Sequence, residues 1–255
     1  MSGTYTQGTV NGRIAELAMI REDKRNAMSD GLLSEIEAFY TSLPDEVRVV
    51  ILHGRGGHYC AGLDLTEVQE QTAEQGIFHS RNWHRVLDIV QYGGKVTISA
   101  MTGAVIGGGL ELATATHVRI AEPSVVFQLP EGRRGIFVGG GATVRVGRIL
   151  GPDRMVEMML TGRTYDAAEG LRLGLAHYTV RDGDALARAR ELAATIAENA
   201  PLSNYFILQA LPRIHDMGRG DGLFVESLAA ALAQTTPDAE EGLNAFFEKR
   251  KPKFR

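Results

Sequence analysis

The stretch GAVIGGGLELA, Gly103–Ala113, decides how this chain reads. It places three consecutive glycines, Gly107 to Gly109, and a charged Glu111 inside an otherwise apolar run. The longer segment KVTISAMTGAVIGGGLELATA is expected to form strand, turn and helix. Glycine has no Cβ, so it tolerates unusual dihedrals and lets a ligand approach the backbone closely. The first N–H groups of a helix have no partner within it and sit at the positive end of the dipole. Glycines there offer amide donors to an anion or to a developing oxyanion. Close packing of helix on strand also selects glycine, and the segment alone leaves both readings open.

The nature of the anion can be narrowed. A phosphate loop requires Lys and Ser/Thr after the glycines, and here Leu110 and Glu111 follow. The dinucleotide fingerprint G-x-G-x-x-G is absent from this run. A carboxylate beside amide donors suits chemistry better, the donors holding an oxyanion while the acid moves a proton. A second glycine-rich turn, HGRGGHYCAGLDL (His53–Leu65), follows a buried strand. A third stretch, FQLPEGRRGIFVGGGATVRV, carries Glu131 in a turn marked by Pro130.

Around these stretches the chain alternates strands and helices. Gly12–Ile20, Val47–His53 and Lys95–Met101 read as strands, and HVRIAEP and SVVFQLP as short extended segments. SDGLLSEIEAFYTSL reads as a helix, with Leu32, Leu33, Ile36, Phe39, Tyr40 and Leu43 on one face and Ser29 as N-cap. After about Asp182 only helical patterns remain, punctuated by Pro and Gly. The expected class is therefore a layered α/β body over 1–182 and a helical region over 183–255.

Composition excludes several function classes. Of 255 residues, 44% are hydrophobic and 23% charged, with a formal net charge of −4. That balance argues against nucleic acid or an anionic membrane as the main partner. No run of 18 apolar residues and no apolar targeting core are present. The single cysteine, Cys60, permits no intrachain disulfide and points to the cytoplasm.

Taken together, the three glycine-rich stretches resemble the crotonase superfamily, also called the enoyl-CoA hydratase/isomerase family. REDKRNAMS, HYCAGLDL, GAVIGGGLELA, LPEGRRGIFVGGGATVRVGRILG, MLTGRTYDAAEGLRLGLAHYTV and FFEKRKPKF are similar to the family's blocks, in the family's order. Glu22 stands where the family writes proline. The resemblance implies a spiral of ββα turns, a helical C-terminal region that joins trimers or pairs of trimers, and an acyl-coenzyme A ligand. By position, the N–H groups of Leu63 and Gly108 would hold the thioester oxygen. Glu111 and Glu131 would be the two catalytic acids, and the amide of Gly139 would help place the water. Lys24, Arg25, Ala27, Ala61 and Lys249, the last from an adjacent subunit, would meet the coenzyme A moiety. No cofactor beyond that moiety is implied. Two acids with glycine at 139 favour a hydratase; an isomerase, hydrolase or hydratase-lyase is the alternative, and a non-catalytic binding protein a more distant one.

The remaining polar candidates carry weaker signals. No histidine pair has metal-ligand spacing backed by a third ligand, so no metal is expected. His84 follows Trp83 on a helix that would border the acyl pocket, where packing competes with substrate contact. Asp64 and Cys60 read as structural. Arg133 and Arg134 replace the apolar residues common after the second acid. They would either meet a polar or acidic acyl group or form ion pairs at a subunit interface. On an extended segment, alternation would send at most one of them toward substrate.

Overall fold

The computed structural model describes residues 2–67 and 72–254. The polar segment Thr6–Asn11 forms a strand, β1, absent from the sequence reading, which looked for apolar runs. It pairs antiparallel with β2 (Ile14–Met19). Next come α1 (Asp30–Thr41), β3 (Val49–Gly54), α2 (Ala73–Tyr92) and β4 (Val96–Met101). The Ser29 hydroxyl accepts the Leu32 N–H at 3.1 Å, so α1 starts where a short polar side chain satisfies an orphan donor. α2 starts on a reciprocal capping box between Thr72 and Gln75. β2, β3 and β4 run parallel; β3 opens as a continuous apolar run, and β4 is buried throughout, its polar Thr97 and Ser99 bonded to the hydroxyls of Tyr40 and Tyr59.

The next segment departs from the strand–turn–helix expectation. After β4 the chain turns at Thr102–Gly103 and forms a three-residue strand, β5 (Ala104–Ile106), before α3 (Gly108–Thr114). β5 belongs to a second sheet. Such a strand is too short to show a period in sequence. The pattern repeats with β6 (Val118–Ala121) in the first sheet and β7 (Val126–Gln128) in the second. Then follow α4 (Ala142–Leu150), α5 (Pro152–Thr161), β8 (Tyr165–Asp166), α6 (Ala167–Leu173) and β9 (Tyr178–Thr179). The larger sheet has the order β1-β2-β3-β4-β6-β9 and the smaller one β5-β7-β8. A strand in each sheet followed by a helix is the ββα spiral that the resemblance implies.

Past Thr179 the described chain is helical: α7 (Ala185–Ala197), α8 (Pro201–Ile214), α9 (Arg219–Gln234) and α10 (Pro237–Phe247). Two compact units divide within α7, one ending at Ala193 and the other beginning at Ala194. The first holds both sheets and a core that includes Leu17, Leu52, Tyr59 and Phe127, all fully buried. In the second, α9 exposes Phe224, Leu228 and Leu232, spaced four apart on one face. No helix among the described residues is long and apolar enough to cross a membrane.

Candidate active site

The glycine triplet is explained residue by residue. Gly107 precedes α3 with φ 53°, ψ −121°, a conformation that L side chains rarely adopt. A Cβ on Gly108 would stand 2.8 Å from the Trp83 ring, and one on Gly109 would stand 2.2 Å from the carbonyl oxygen of Cys60. The close-packing reading therefore holds for Gly108 and Gly109. The glycines pack α3 against the 60–63 loop, and the same closeness brings two amide donors together.

Those donors are Leu63 and Gly108. The segment around Leu63 pairs with Met28 as a parallel bridge: Met28 N–H donates to Gly62 O at 2.7 Å, and Asp64 N–H donates to Met28 O at 2.8 Å. Alternation along an extended segment turns the intervening N–H of Leu63 the other way. That nitrogen lies 3.5 Å from where a Gly108 Cβ would be. Gly108 opens α3, so its own N–H has no acceptor within the helix.

Both Leu63 and Gly108 line a cavity of about 500 Å³ with mostly apolar walls, which Ala61, Glu111, Glu131 and Gly139 also line. Glu111 is held on α3, and its Oε1 accepts the N–H groups of Gly140 (2.8 Å) and Ala142 (3.0 Å). Burial raises its carboxyl above the ordinary value, against the pull of those N–H groups and of Arg145. Glu131 starts a 3-10 turn, Glu131–Arg134. It is 7% exposed, and its Oε2 has no hydrogen-bond partner. Burial first, and then the charge of Glu111, push its carboxyl up to about 7. The site thus pairs an acid fixed by backbone donors with one that keeps its proton to near neutrality.

Gly139 lies on the loop before α4, where its carbonyl accepts the Ser80 hydroxyl at 2.7 Å. A Cβ there would meet only Ser80, at 3.7 Å or more, so close contact does not dictate glycine at 139.

The coenzyme-side candidates fall into two groups. Lys24, Arg25 and Ala27 do not line the cavity, but their loop is stitched to the one that does. Ala61 N–H donates to Arg25 O at 3.0 Å, and Arg21 bonds both Ala27 O and the carboxylate of Asp64. Asp64 also accepts the hydroxyl and N–H of Thr66 and lies 4.0 Å from Lys24 Nζ. The Thr66 hydroxyl foremost, with the two nearby cations, holds its carboxyl below the usual range. Lys249 follows α10 in the second unit, and its neighbour Arg250 is engaged by Glu241 and Glu248.

The two arginines separate, although not by the expected rule. The segment is a 3-10 turn rather than an extended one, because Pro130 and the left-handed Gly135 close it at both ends. Arg133 bonds the Thr161 carbonyl at the end of α5, whereas Arg134 lines the cavity. His84 faces a surface groove with Arg81 and Asp88, and Trp83 lines the cavity in its place.

Sequence reasoning missed His79 and Ser80. With Gly76 and Trp83 they form a 76-79-80-83 face of α2 turned to the cavity. The 3,4 spacing was available, but a search restricted to apolar residues passes over it. The Trp83 indole N–H donates to His79 Nε2 at 3.0 Å, and Asp30 stands 3.1 Å from the same nitrogen.

The profile of the enoyl-CoA hydratase/isomerase family matches residues 9–255. The human enoyl-CoA hydratase domain-containing protein 2, mitochondrial, is 37% identical over 249 residues, which cover 94% of this chain and 85% of that protein. A mitochondrial Delta(3,5)-Delta(2,4)-dienoyl-CoA isomerase from Dictyostelium discoideum is 31% identical over 256 residues, covering 95% and 87%. A solved chain from Rhodopseudomonas palustris CGA009 superposes with a TM-score of 0.94 at 46% identity, covering 96% of this chain and 95% of its own.

Proposed function

Because the chain belongs to the enoyl-CoA hydratase/isomerase family, we propose that it adds water to an α,β-unsaturated acyl-coenzyme A thioester, or removes water in reverse. The observation that carries this reading is the meeting of two buried acids, Glu111 and Glu131, with two free amide donors in one cavity.

The geometry supports the following roles. The thioester oxygen sits between the N–H groups of Leu63 and Gly108. Attack at Cβ moves charge onto that oxygen, and each preorganised donor is worth about 3–4 kcal/mol in such a state. Glu111, held by the N–H groups of Gly140 and Ala142, accepts a proton from the attacking water. Glu131, protonated near neutral pH, delivers its proton to Cα. Water has then been added across the double bond, Glu111 holds a proton and Glu131 has lost one. Passing that proton between the two adjacent acids resets the site, and the pair titrates as a unit. The Gly139 amide helps place the water, and the loop of Lys24, Arg25 and Ala27, with Ala61, guides the coenzyme.

The C-terminal helices complete the proposal. Phe224, Leu228 and Leu232 form an exposed apolar stripe of the kind that subunit contacts cover. Trimers, or trimers paired into hexamers, would bury it and bring Lys249 to a neighbour's coenzyme. The buried single thiol of Cys60 suits a reducing compartment such as the cytoplasm.

The test is incubation with crotonyl-CoA in oxygen-labelled water, followed by mass spectrometry of the thioester. A hydratase yields a product heavier by one labelled water, with the label at Cβ. A product of unchanged mass with a moved double bond would replace this reading with isomerisation, and free coenzyme A would replace it with hydrolysis.

A further inference from the structure

The 3-10 turn that carries Glu131 has two faces. In a 3-10 helix, residues three apart eclipse, with a rise of about 2 Å per residue. Glu131 and Arg134 therefore share a face, their α-carbons about 6 Å apart along the turn, and both line the cavity. Gly132 and Arg133 form the other face. A Cβ on Gly132 would lie 3.0 Å from Met159 O, and Arg133 bonds Thr161 O, so this face is held against α5.

Arg134 is the only lysine or arginine among the described residues that line the cavity. It forms no hydrogen bond or ion pair with the described residues, and it is exposed at the rim. It makes no hydrogen bond to Glu131, whose Oε2 is unbonded, although its charge acts on that carboxyl through space. The turn thus holds a guanidinium without a hydrogen-bond or ion-pair partner among the described residues, just beyond the acid that faces Cα, in walls that are otherwise mostly apolar. A guanidinium offers a planar fork of donors matched to a carboxylate.

We propose that Arg134 is a specificity-determining residue that receives a carboxylate at the far end of the acyl chain, making the preferred ligand a mono-coenzyme A thioester of a short dicarboxylic acid. The placement of the acyl chain beside Glu131 rests on the hydratase reading. The guanidinium lies on the segment that continues into Ile136 and Phe137 of the cavity wall, not on the Ala61–Leu63 loop stitched to the coenzyme-side residues. That position favours the acyl end over the coenzyme phosphates.

The test uses binding, so it does not depend on turnover. Calorimetry compares glutaryl-CoA with butyryl-CoA, neither of which has a double bond to hydrate, on the wild-type protein and on Arg134→Gln, Arg134→Lys and Arg133→Gln. The wild type is expected to bind glutaryl-CoA roughly tenfold more tightly, the value of one charge-assisted hydrogen bond. Arg134→Gln abolishes the preference, Arg134→Lys keeps part of it, and Arg133→Gln keeps it whole. Equal binding of the two thioesters by the wild type overturns the proposal, whatever the variants do. A preference that survives Arg134→Gln also overturns it, as does an equal weakening of both ligands, which would make Arg134 a coenzyme contact. Failure of the wild type to hydrate any enoyl-CoA would sink the reaction reading separately, and the binding preference would still decide the role of Arg134.

Discussion

Replacing Glu131 with glutamine should stabilise the protein, and more so as pH rises. Glu131 is 7% exposed with an unbonded Oε2, and its carboxyl is pushed from 4.5 up to about 7. Burial is the main cause; the charge of Glu111 adds to it and Arg134 opposes it. In the unfolded chain the same group ionises near its ordinary value. Between about pH 4.5 and 7 the native state therefore binds more protons than the unfolded state, so stability falls as pH rises through that window. Above it, the full cost of the buried charge is about 3 kcal/mol by linkage. Solvent reaching the open cavity reduces this to about 1–2 kcal/mol. Glutamine has nearly the same shape and does not ionise. The assay is urea unfolding of wild type and Glu131→Gln across that pH range, at one protein concentration because assembly shifts apparent stability. The advantage of the variant should be small near pH 4.5, grow by about 1–2 kcal/mol by pH 8 and then level off. An advantage that is flat with pH, or that shrinks as pH rises, would refute the reasoning about Glu131.

Three further outcomes follow from packing and exposure. Gly109→Ala puts a methyl 2.2 Å from the Cys60 carbonyl, so it should lower the melting temperature sharply, by the 1–3 kcal/mol typical of overpacking or more; Gly139→Ala, with only Ser80 nearby at 3.7 Å, should melt close to wild type. Leu228→Glu, in the centre of the exposed stripe on α9, should convert the proposed trimer to monomers by light scattering without loss of helical circular dichroism, and an unchanged mass would remove that stripe from any subunit interface.

Features that a single residue type imposes locally were legible in the sequence. Ser29 caps α1 because a short hydroxyl before an amphipathic run has one favourable use. β3 was visible as an apolar run because a parallel strand is covered on both faces. Glu111 and Glu131 were singled out by the family resemblance, since either acid alone reads as a solvated surface residue, and the fold brings both to one cavity from positions on α3 and on a separate turn. Features set by tertiary pairing were hidden. β5 has three residues and exists because the chain turns into a second sheet against β7. The Arg133–Arg134 segment was read as extended, yet Pro130 and a left-handed Gly135 close it as a 3-10 turn. That difference of period decides which arginine faces the cavity. His79 and Ser80 were overlooked because polar residues on a half-buried helix face are read by default as solvated.

The central claim, that Glu111 and Glu131 act as a proton-transferring pair on an enoyl thioester, is tested most directly by crotonyl-CoA hydration with Glu111→Gln and Glu131→Gln. The rate is followed as loss of the conjugated thioester, and binding of unreactive butyryl-CoA is measured in parallel. Each substitution should lower kcat by roughly 10²–10⁴-fold, the contribution of a positioned acid or base, while butyryl-CoA binding changes little. A variant that hydrates crotonyl-CoA at the wild-type rate would contradict the account.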